Sequence, residues 1–325
     1  MITIAYNNQK RIVEHSQEEI EEMTSLDGKW VHMLNPSDKE IEWVEDLTGL
    51  PGDVLKAALD EDERARIEKD DDYLLVLVDI PIVEDDEDNG GIVYTTIPMG
   101  IILKDKTIIT VCLKDSSVIR DFLLGRVKDV EIHKTTRFIF RLLLSIATKY
   151  LAYLRQIDKT SQHIQTELHK HMKNKGLNDL LEIQNALVYF SNSLRANNNV
   201  IDKLIKSSSY LTKYEEDQEL IEDVGIESLQ ALDTCNTYRD ILEGTMEAYS
   251  SVISNNLNNV MKVLTSVTFI VSVPTVIGSL FGMNLDGIPG YSGREKFPFA
   301  FLIVCLISVV CTVVCAIIMR KKKLL

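Results

Sequence analysis

The spacing of apolar and polar residues divides the chain into three kinds of segment. In the first 130 residues, short apolar or alternating runs bounded by turn residues predict strands at Ile2–Ala5, Arg11–Glu14, Trp30–Leu34, Tyr73–Pro81, Gly91–Leu103 and Thr107–Leu113. Polar residues that favour helix starts precede two predicted helices, Asp38–Leu47 and Gly52–Leu59. Strands joined by short turns, with helices between some of them, predict an α/β layer domain over residues 1–130.

Residues 131–260 carry a helical pattern instead. No Gly or Pro occurs between Thr135 and Lys175, and we expect Gly176 to break this first helix. A second helix is predicted over residues 178–207. A third begins near Glu215, and a continuous helix over 216–280 would be roughly 100 Å long. Two helices broken near Gly244 are the alternative.

Two apolar runs near the C-terminus contain no charged residue and no histidine. They are Val263–Leu285 and Phe297–Met319, each with 23 residues. A helix needs roughly 20 such residues to cross a bilayer. We therefore predict membrane-spanning helices at 261–285 and 297–319, an external loop at 286–296 and a basic tail at 320–325.

The charges around these runs predict the orientation of the chain. Lys262 precedes the first span, and Arg320–Lys323 is a continuous basic run after the second. Basic residues beside spans favour the cytoplasmic side, and the start of the sequence lacks the pattern of a signal peptide. We expect an integral protein of the cytoplasmic (plasma) membrane with two spans and both termini in the cytoplasm.

Composition narrows the function classes. Residues 1–100 hold 26 acidic and 8 basic residues, which gives them a net charge of −18. This charge disfavours binding of nucleic acid and favours binding of cations. The alternative is that these acids only keep the domain soluble. We find no phosphate-binding loop, dinucleotide fingerprint or zinc-protease motif, so we do not expect an enzyme or an organic cofactor.

Four hydroxyl residues of the first span lie on one helical face. Thr268, Ser272, Thr275 and Ser279 are spaced by 4, 3 and 4 residues, and we call them the hydroxyl stripe. Towards the cytoplasm the stripe continues through Thr265 or Leu264, then Met261 and Asn258. A neutral, oxygen-lined path suits a cation that keeps its water, as Mg²⁺ does. Helix packing through small residues is the alternative.

The first span ends in Gly282-Met283-Asn284, and this placement resembles the CorA family of divalent-cation channels. The likeness extends to Asn258–Thr265, to the basic tail and to the order of an acidic α/β domain, long helices and two spans. The resemblance implies a funnel-shaped homopentamer in the lipid bilayer that passes Mg²⁺, and also Co²⁺ or Ni²⁺. It implies an outer mouth at Gly282, Met283 and Asn284 with Asp286 nearby, and an apolar constriction at Met261 and Leu264. The pore-lining set that it implies is Asn258, Met261, Leu264, Thr265, Thr268, Ser272, Thr275 and Ser279.

The resemblance also implies regulation by intracellular Mg²⁺ bound between neighbouring cytoplasmic domains. Asp223 matches one sensor carboxylate of the family. Lys56-Ala57 stands where relatives carry a Glu-Asp pair, which departs from the family pattern. The neighbouring acids Asp60, Glu61, Asp62 and Glu63 are candidate replacements.

Two other functions fit parts of the sequence. A zinc transporter of the ZntB type shares the fold, but such proteins tend to carry Ile at the position of Met283. A non-conducting membrane scaffold or sensor would use the two spans as an anchor, and it would have no need for an aligned hydroxyl stripe.

Overall fold

The computed structural model describes residues 1–8, 11–86, 91–170, 174–207, 209–283 and 297–322. The chain divides into two compact units, Met1–Gly244 and Thr245–Leu325. The first unit holds an α/β sheet and long helices, and the second holds the apolar C-terminal helices. The predicted fold class, an α/β domain followed by long helices, is confirmed.

A seven-stranded sheet is built from the described residues of the first unit. Its strands are β1 (Ile2–Asn8), β2 (Arg11–Glu14), β3 (Trp30–Leu34), β4 (Arg66–Lys69), β5 (Leu74–Asp86), β6 (Gly91–Lys104) and β7 (Thr107–Cys112). The order is β2-β1-β3-β7-β6-β5-β4, with β3 and β7 parallel and the other neighbours antiparallel. The sequence did not predict β4, because this short, polar, half-exposed edge strand has no apolar pattern of its own.

Short helices cover one face of the sheet. These are α2 (Asp38–Thr48) and α3 (Gly52–Lys56), and α1 (Gln17–Glu21) follows β2. Ile41, Val44 and Leu55 are buried against sheet residues such as Val31 and Leu75. The predicted helix Gly52–Leu59 is instead α3 followed by a 3₁₀ turn at Ala57–Leu59, a common way for a helix to tighten at its end.

One short helix and two long ones cover the other face. They are α4 (Ser117–Leu123), α5 (Thr135–Lys170) and α6 (Asn174–Lys206). Trp30 is fully buried and packs against Phe122 of α4 and Phe138 of α5, with ring centroids 6.1 and 5.1 Å away. The sheet is therefore enclosed between two layers of helices.

Asn197 of α6 completes the backbone pairing of β5. The pairing of β5 with β4 ends at Leu77, so the following residues of β5 have no strand partner on that side. On the other side Asp79 lies opposite Pro98 of β6, a residue that has no N–H. The Asn197 side chain accepts a hydrogen bond from the Asp79 N–H at 2.8 Å and donates one to its carbonyl at 2.7 Å. The fully buried Tyr150 donates to the same carbonyl at 3.1 Å. These side chains thus fix α5 and α6 on the sheet.

Gly176 does not break a helix, contrary to the sequence prediction. It lies inside α6. A Cβ atom at this position would approach the Leu168 side chain of α5 to 2.9 Å. The absence of a side chain at Gly176 therefore lets α5 and α6 pack closely, and this close packing offsets the low helix propensity of glycine.

A single helix, α7 (Gln218–Phe281), runs through Gly225, Gly244 and Pro274. The prediction of a continuous helix is confirmed, and the alternative break near Gly244 is wrong. The last helix is α8 (Phe297–Lys321). By length and composition, Glu215–Phe281 and Leu302–Lys321 each contain a stretch able to cross a membrane.

A buried ion pair, which we call the α5–α7 clasp, fixes the residues just before α7. Asp217 is 1% exposed, and Arg137 of α5 donates from Nε to its Oδ1 at 2.5 Å. Arg137 also donates to the Glu216 carbonyl at 3.3 Å, and Lys134 pairs with the Glu216 carboxylate at 3.2 Å. Thr136 donates to the Thr212 carbonyl at 2.9 Å. The segment that leads into α7 is therefore attached to the first turn of α5.

His32 is a buried histidine that shares one hydroxyl with Trp30. The Thr110 hydroxyl oxygen lies 3.0 Å from Trp30 Nε1 and 3.0 Å from His32 Nδ1. Burial lowers the pKa of His32 from 6.5 to about 4, although Thr110 and the nearby Asp115 favour the charged form. The ring is therefore neutral at physiological pH and costly to protonate in place.

We expect His32 to make the protein less stable in acid. Between pH 6.5 and about 4 the unfolded chain binds a proton at this position and the folded chain does not. The free energy of unfolding therefore decreases as the pH is lowered through this range, by roughly 1.4 kcal/mol per pH unit at most. His32→Asn keeps a hydrogen-bonding atom near Thr110 without the titration. Urea unfolding at pH 7 and pH 5 should show a smaller loss for this variant than for the wild type, and equal losses would contradict the assignment.

Candidate functional site

The hydroxyl stripe lies on the last four turns of α7. Thr268, Ser272, Thr275 and Ser279 are all exposed in this chain. Ser266, which lies off this face, is only 2% exposed. The hydroxyl face is thus an open surface of the second unit.

The hydroxyl groups of the stripe are oriented by their own helix. Thr268 donates to the Leu264 carbonyl at 2.9 Å, Ser272 to the Thr268 carbonyl at 2.8 Å, and Thr275 to the Val271 carbonyl at 3.0 Å. Serine and threonine commonly make this bond to the preceding turn. Because these three hydroxyl hydrogens are used within the helix, their oxygens offer lone pairs outward. The exposed face therefore presents hydrogen-bond acceptors.

A shallow groove follows the same face. Valine side chains border the hydroxyls, and the groove is lined by Val267, Thr268, Val271, Ser272, Thr275 and Val276. It is open along its length, so one chain provides only a wall. Neutral oxygens between apolar side chains bind water without the strong attraction that a carboxylate would exert on a cation.

The remaining residues of the predicted pore-lining set lie nearer the start of α7. Asn258 and Thr265 are exposed, as are Met261 and Leu264, whose exposed fractions are 50% and 58%. All eight predicted pore-lining residues thus lie on one helix and are accessible in a single chain. Ser272 is part of the acceptor surface, so its position offers no apolar side chain.

The helix ends immediately before the Gly-Met-Asn motif. Gly282 N–H donates to the Gly278 carbonyl at 2.9 Å, and a Cβ at Gly282 would lie 3.2 Å from that same oxygen. A side chain here would lie against the carbonyl groups of the last turn of α7. Met283 is 47% exposed. Asn284 and Asp286 lie outside the described residues.

Asp223, the predicted sensor carboxylate, is exposed on α7. Its neighbours Ile221 and Val224 are buried, with exposed fractions of 2% and 0%. The packing of these two side chains directs Asp223 away from the core. Its carboxylate is consequently accessible to a ligand from outside the chain.

The four acids proposed as replacements have different surroundings. Asp60 accepts a hydrogen bond from the Asp62 N–H at 3.0 Å, which shapes the turn. Glu63 pairs with Arg66, and Glu61 lies 3.9 Å from Lys114. Asp62 is exposed. Among the described residues, no three His, Cys, Asp or Glu side chains are grouped closely enough to hold a metal ion.

Lys56, where the sequence departs from the family pattern, is held by an ion pair. Its Nζ donates to Asp38 Oδ1 at 2.9 Å. This hydrogen bond, together with the charge of Asp38, raises the pKa of Lys56. A lysine in this position is a cation with its own anionic partner, and it cannot replace a carboxylate as a metal ligand.

Sequence reasoning missed the orientation of the hydroxyls and the α5–α7 clasp. The i, i+4 bonds follow from the known behaviour of serine and threonine in helices, so the sequence contained that signal. The clasp joins residues 80 positions apart. No periodic pattern connects Arg137 to Asp217, so this contact could be identified only in the folded structure.

Comparisons with known proteins find one family model that covers most of the chain. The family model described as "CorA-like Mg2+ transporter protein" matches residues 25–321. The chain is 28% identical over 302 residues to the cobalt/magnesium transport protein CorA of Methanocaldococcus jannaschii, covering 90% of each protein.

Solved structures show the same similarity. The complete CorA magnesium transporter of M. jannaschii superposes with a TM-score of 0.79 at 25% identity, covering 99% of this chain and 98% of that one. The cytoplasmic domain of ZntB from Vibrio parahaemolyticus matches with a TM-score of 0.59 at 16% identity, covering 79% of this chain and 97% of that domain. The second match shows a shared fold only.

Proposed function

This chain belongs to the CorA family of Mg²⁺ transporters, and from that membership we propose that five identical chains form a channel for hydrated Mg²⁺. The family consists of divalent-cation transporters of the membrane and not of enzymes. We extend the proposal to Co²⁺, which the printed name of the M. jannaschii relative includes, and to Ni²⁺. The direction of flow is down the electrochemical gradient into the cytoplasm.

A ring of chains is required by the number of spanning helices. The described part of the chain offers two helical stretches able to cross a membrane, and two helices cannot enclose water. The groove along α7 is open and contributes one wall. We propose that α7 lines the centre of the ring and that α8 faces the lipid.

The observation that carries this proposal is the orientation of the hydroxyl stripe. Thr268, Ser272 and Thr275 present acceptor oxygens because their hydrogens are donated to the helix. The water molecules around a cation point their hydrogens outward. Mg²⁺ loses its hydration shell reluctantly, so a wall of neutral acceptors suits the intact hydrated ion better than a wall of donors or carboxylates.

The ends of the stripe have separate proposed roles. We assign the outer mouth to Gly282, Met283, Asn284 and Asp286, with the Asn284 carbonyl oxygens contacting the water shell. The inner constriction is assigned to Met261 and Leu264, whose exposed apolar side chains exclude water when brought together. Asn258 lies at the inner end, and the basic tail surrounds the cytoplasmic exit.

We also propose that intracellular Mg²⁺ closes the channel. Asp223 is exposed on α7 and offers the hard oxygen ligand that Mg²⁺ prefers. Its partners in the neighbouring chain would come from Asp60, Glu61, Asp62 and Glu63. Asp62 is the best placed of these, because Glu61 and Glu63 already lie near cations. Loss of the bridging ion would let the acidic domains repel one another.

Flux into liposomes tests conduction and sensing together. Wild-type protein should carry Mg²⁺ inward, and the rate should fall as internal Mg²⁺ rises into the millimolar range. Asp223→Lys should require several-fold more internal Mg²⁺ to close. Glu182→Lys, the same charge change at an exposed site on α6, is the control. Absent wild-type flux would refute transport, and coincident curves for wild type and Asp223→Lys would remove Asp223 from the sensor.

Zinc transport is the second candidate, because the ZntB cytoplasmic domain shares this fold. Met283 favours Mg²⁺, since ZntB-type proteins tend to carry Ile there. Equimolar Zn²⁺ and Mg²⁺ supplied to the same liposomes would distinguish the two. Preferential Zn²⁺ uptake would replace the magnesium assignment.

A further inference from the structure

Asp79 of β5 places a carboxyl group at the contact between the sheet and α6. The residue is partly buried, and its backbone is held by Asn197 of α6 and Tyr150 of α5. Ser193 lies one helical turn before Asn197. Its hydroxyl hydrogen bonds to the Asp79 carboxylate and lies 3.0 Å from the Thr96 hydroxyl of β6. One strand residue thus contacts α6 through both its backbone and its side chain.

No cation balances this carboxylate. Among the described residues, no lysine, arginine or histidine pairs with Asp79. The groups that approach it are neutral, and they are Tyr150 of α5, Ser193 and Asn197 of α6, and Thr96 of β6. Burial raises the pKa of Asp79, and the hydrogen bond from Ser193 lowers it by a smaller amount.

The other titratable groups near this contact belong to α5 and α7. Burial and the charge of Asp79 raise the pKa of Tyr150, so this hydroxyl stays neutral. Cys235 of α7 donates to the Leu187 carbonyl of α6 at 3.3 Å, and burial raises its pKa to about 12. Arg239 of α7 pairs with Asp240. Asp79 is therefore the group of this contact whose charge changes in mild acid.

A small cavity lies at the same junction. Its volume is about 10 Å³, and its wall includes Val78 of β5, Tyr150 of α5, Asn197 of α6 and Ser228 of α7. A space of this size is at the lower limit for one water molecule. The four elements thus do not close completely beside Asp79, which leaves α6 room for a small shift.

α6 also makes the contacts with the first part of α7. The Ser191 hydroxyl donates to the Asn236 side chain at 2.9 Å. The Ser228 hydroxyl donates to the Asn198 side chain at 2.5 Å, and Asn198 donates to the Ser228 carbonyl at 3.3 Å. Because α6 lies between the sheet and these residues of α7, a change in its contact with the sheet also acts on α7.

We propose that Asp79 is a proton-binding site that controls how firmly α6 is held on the sheet. The carboxylate form places an unpaired charge in a partly buried contact, which is unfavourable. The protonated form removes the charge and can donate its own hydrogen to the Ser193 hydroxyl. α6 is therefore held more firmly in acid. The site is separate from the proposed ion path, since none of its residues belongs to the mouth, the hydroxyl stripe or the sensor.

The direction of the pH dependence follows from the raised pKa of Asp79. The stability gained from protonation is fully present below the ordinary value of 3.8, and it is lost as the pH rises through the higher value of the folded state. His32 acts in the opposite direction, because burial lowers its pKa. His32 lies on β3 and contacts Thr110, so a measurement made locally on α6 separates the two groups.

Hydrogen exchange of the full-length protein in detergent, followed by mass spectrometry, tests the proposal. After correction for the intrinsic pH dependence of exchange, protection of amides 183–201 in the wild type should fall by about threefold or more between pH 4.5 and pH 8. Asp79→Asn, a neutral side chain of the same size, should keep this protection within about twofold. Glu182→Gln removes an exposed carboxylate from α6 and should behave like the wild type. Equal pH dependence in wild type and Asp79→Asn, or none in the wild type, would overturn the proposal.

Ser193→Ala keeps the test decisive if Asp79→Asn does not fold. This variant loses the hydrogen bond that favours the charged form of Asp79. The midpoint of the protection loss should therefore move to higher pH by roughly 0.5 unit. A Ser193 side chain that served packing alone would change the level of protection without moving the midpoint, and that result would contradict proton binding at Asp79.

Discussion

Asn284→Ala is expected to abolish Mg²⁺ uptake in cells that lack their own magnesium transporters. In the proposed pentamer, each chain would lose one carbonyl oxygen that accepts a hydrogen bond from the hydrated ion at the mouth. At about 1 kcal/mol for each hydrogen bond, five losses would weaken capture of the ion by several kcal/mol. We therefore expect uptake to fall by roughly 100-fold or more, since 1.4 kcal/mol corresponds to a factor of ten.

Another asparagine of the chain provides a matched control. Asn259→Ala removes the same group at an exposed position of α7 that lies off the proposed pore-lining set, and it should transport at close to the wild-type rate. Asn284→Gln keeps the amide on a side chain that is one methylene longer, and we expect an intermediate rate. Wild-type uptake by Asn284→Ala, at equal amounts in the membrane, would exclude Asn284 from the mouth.

Leu264→Ser is expected to produce a channel that does not close. Leu264 is 58% exposed on α7, one turn from Met261. A ring of such side chains blocks ions by excluding water from a narrow apolar passage, and a hydroxyl at each position would restore wetting. Under internal Mg²⁺ that stops the wild type, we expect the variant to leak at a rate about tenfold or more above background.

Val263→Ser tests whether the effect belongs to this face. Val263 is the preceding residue, it is 49% exposed, and it points about 100° away around the helix. The same liposome assay should show normal closure for Val263→Ser and for Leu264→Met, which keeps an apolar side chain. A Leu264→Ser channel that closes like the wild type would place the constriction elsewhere on α7.

Most of the architecture could be predicted from the sequence, because the pattern of hydrophobic residues follows which positions are buried. The runs that became β3, β5, β6 and β7 are nearly continuous in apolar residues, and they form the middle of the sheet. The edge strand β4 was not predictable, since half of its residues face solvent. Gly176 was misread because its role depends on the approach of Leu168 from another helix, and propensity alone contains no information about neighbours.

The parts of the candidate site that lie on one helix could be predicted from the sequence, and the contacts between distant residues could not. Spacing along one helix was enough to align Thr268, Ser272 and Thr275, because helical geometry converts sequence intervals into directions. The resemblance to the CorA family, inferred from the position of Gly-Met-Asn, is confirmed over residues 25–321. The pairing of Lys56 with Asp38 depends on residues brought together by folding, so it could not be derived from spacing.

We expect the α5–α7 clasp to make the start of the long helix less sensitive to ionic strength than the surface ion pairs are. Salt weakens attraction between charges that solvent surrounds, and it has much less effect on charges that are buried. Lys206 and Asp202 form a pair on the surface of α6, with side chains 75% and 62% exposed, whereas Arg137 and Asp217 are 18% and 1% exposed. When the electrolyte around the protein changes, the surface pairs weaken first. We therefore expect the junction between Asp217 and α7 to loosen less than these surface pairs when bulk salt changes.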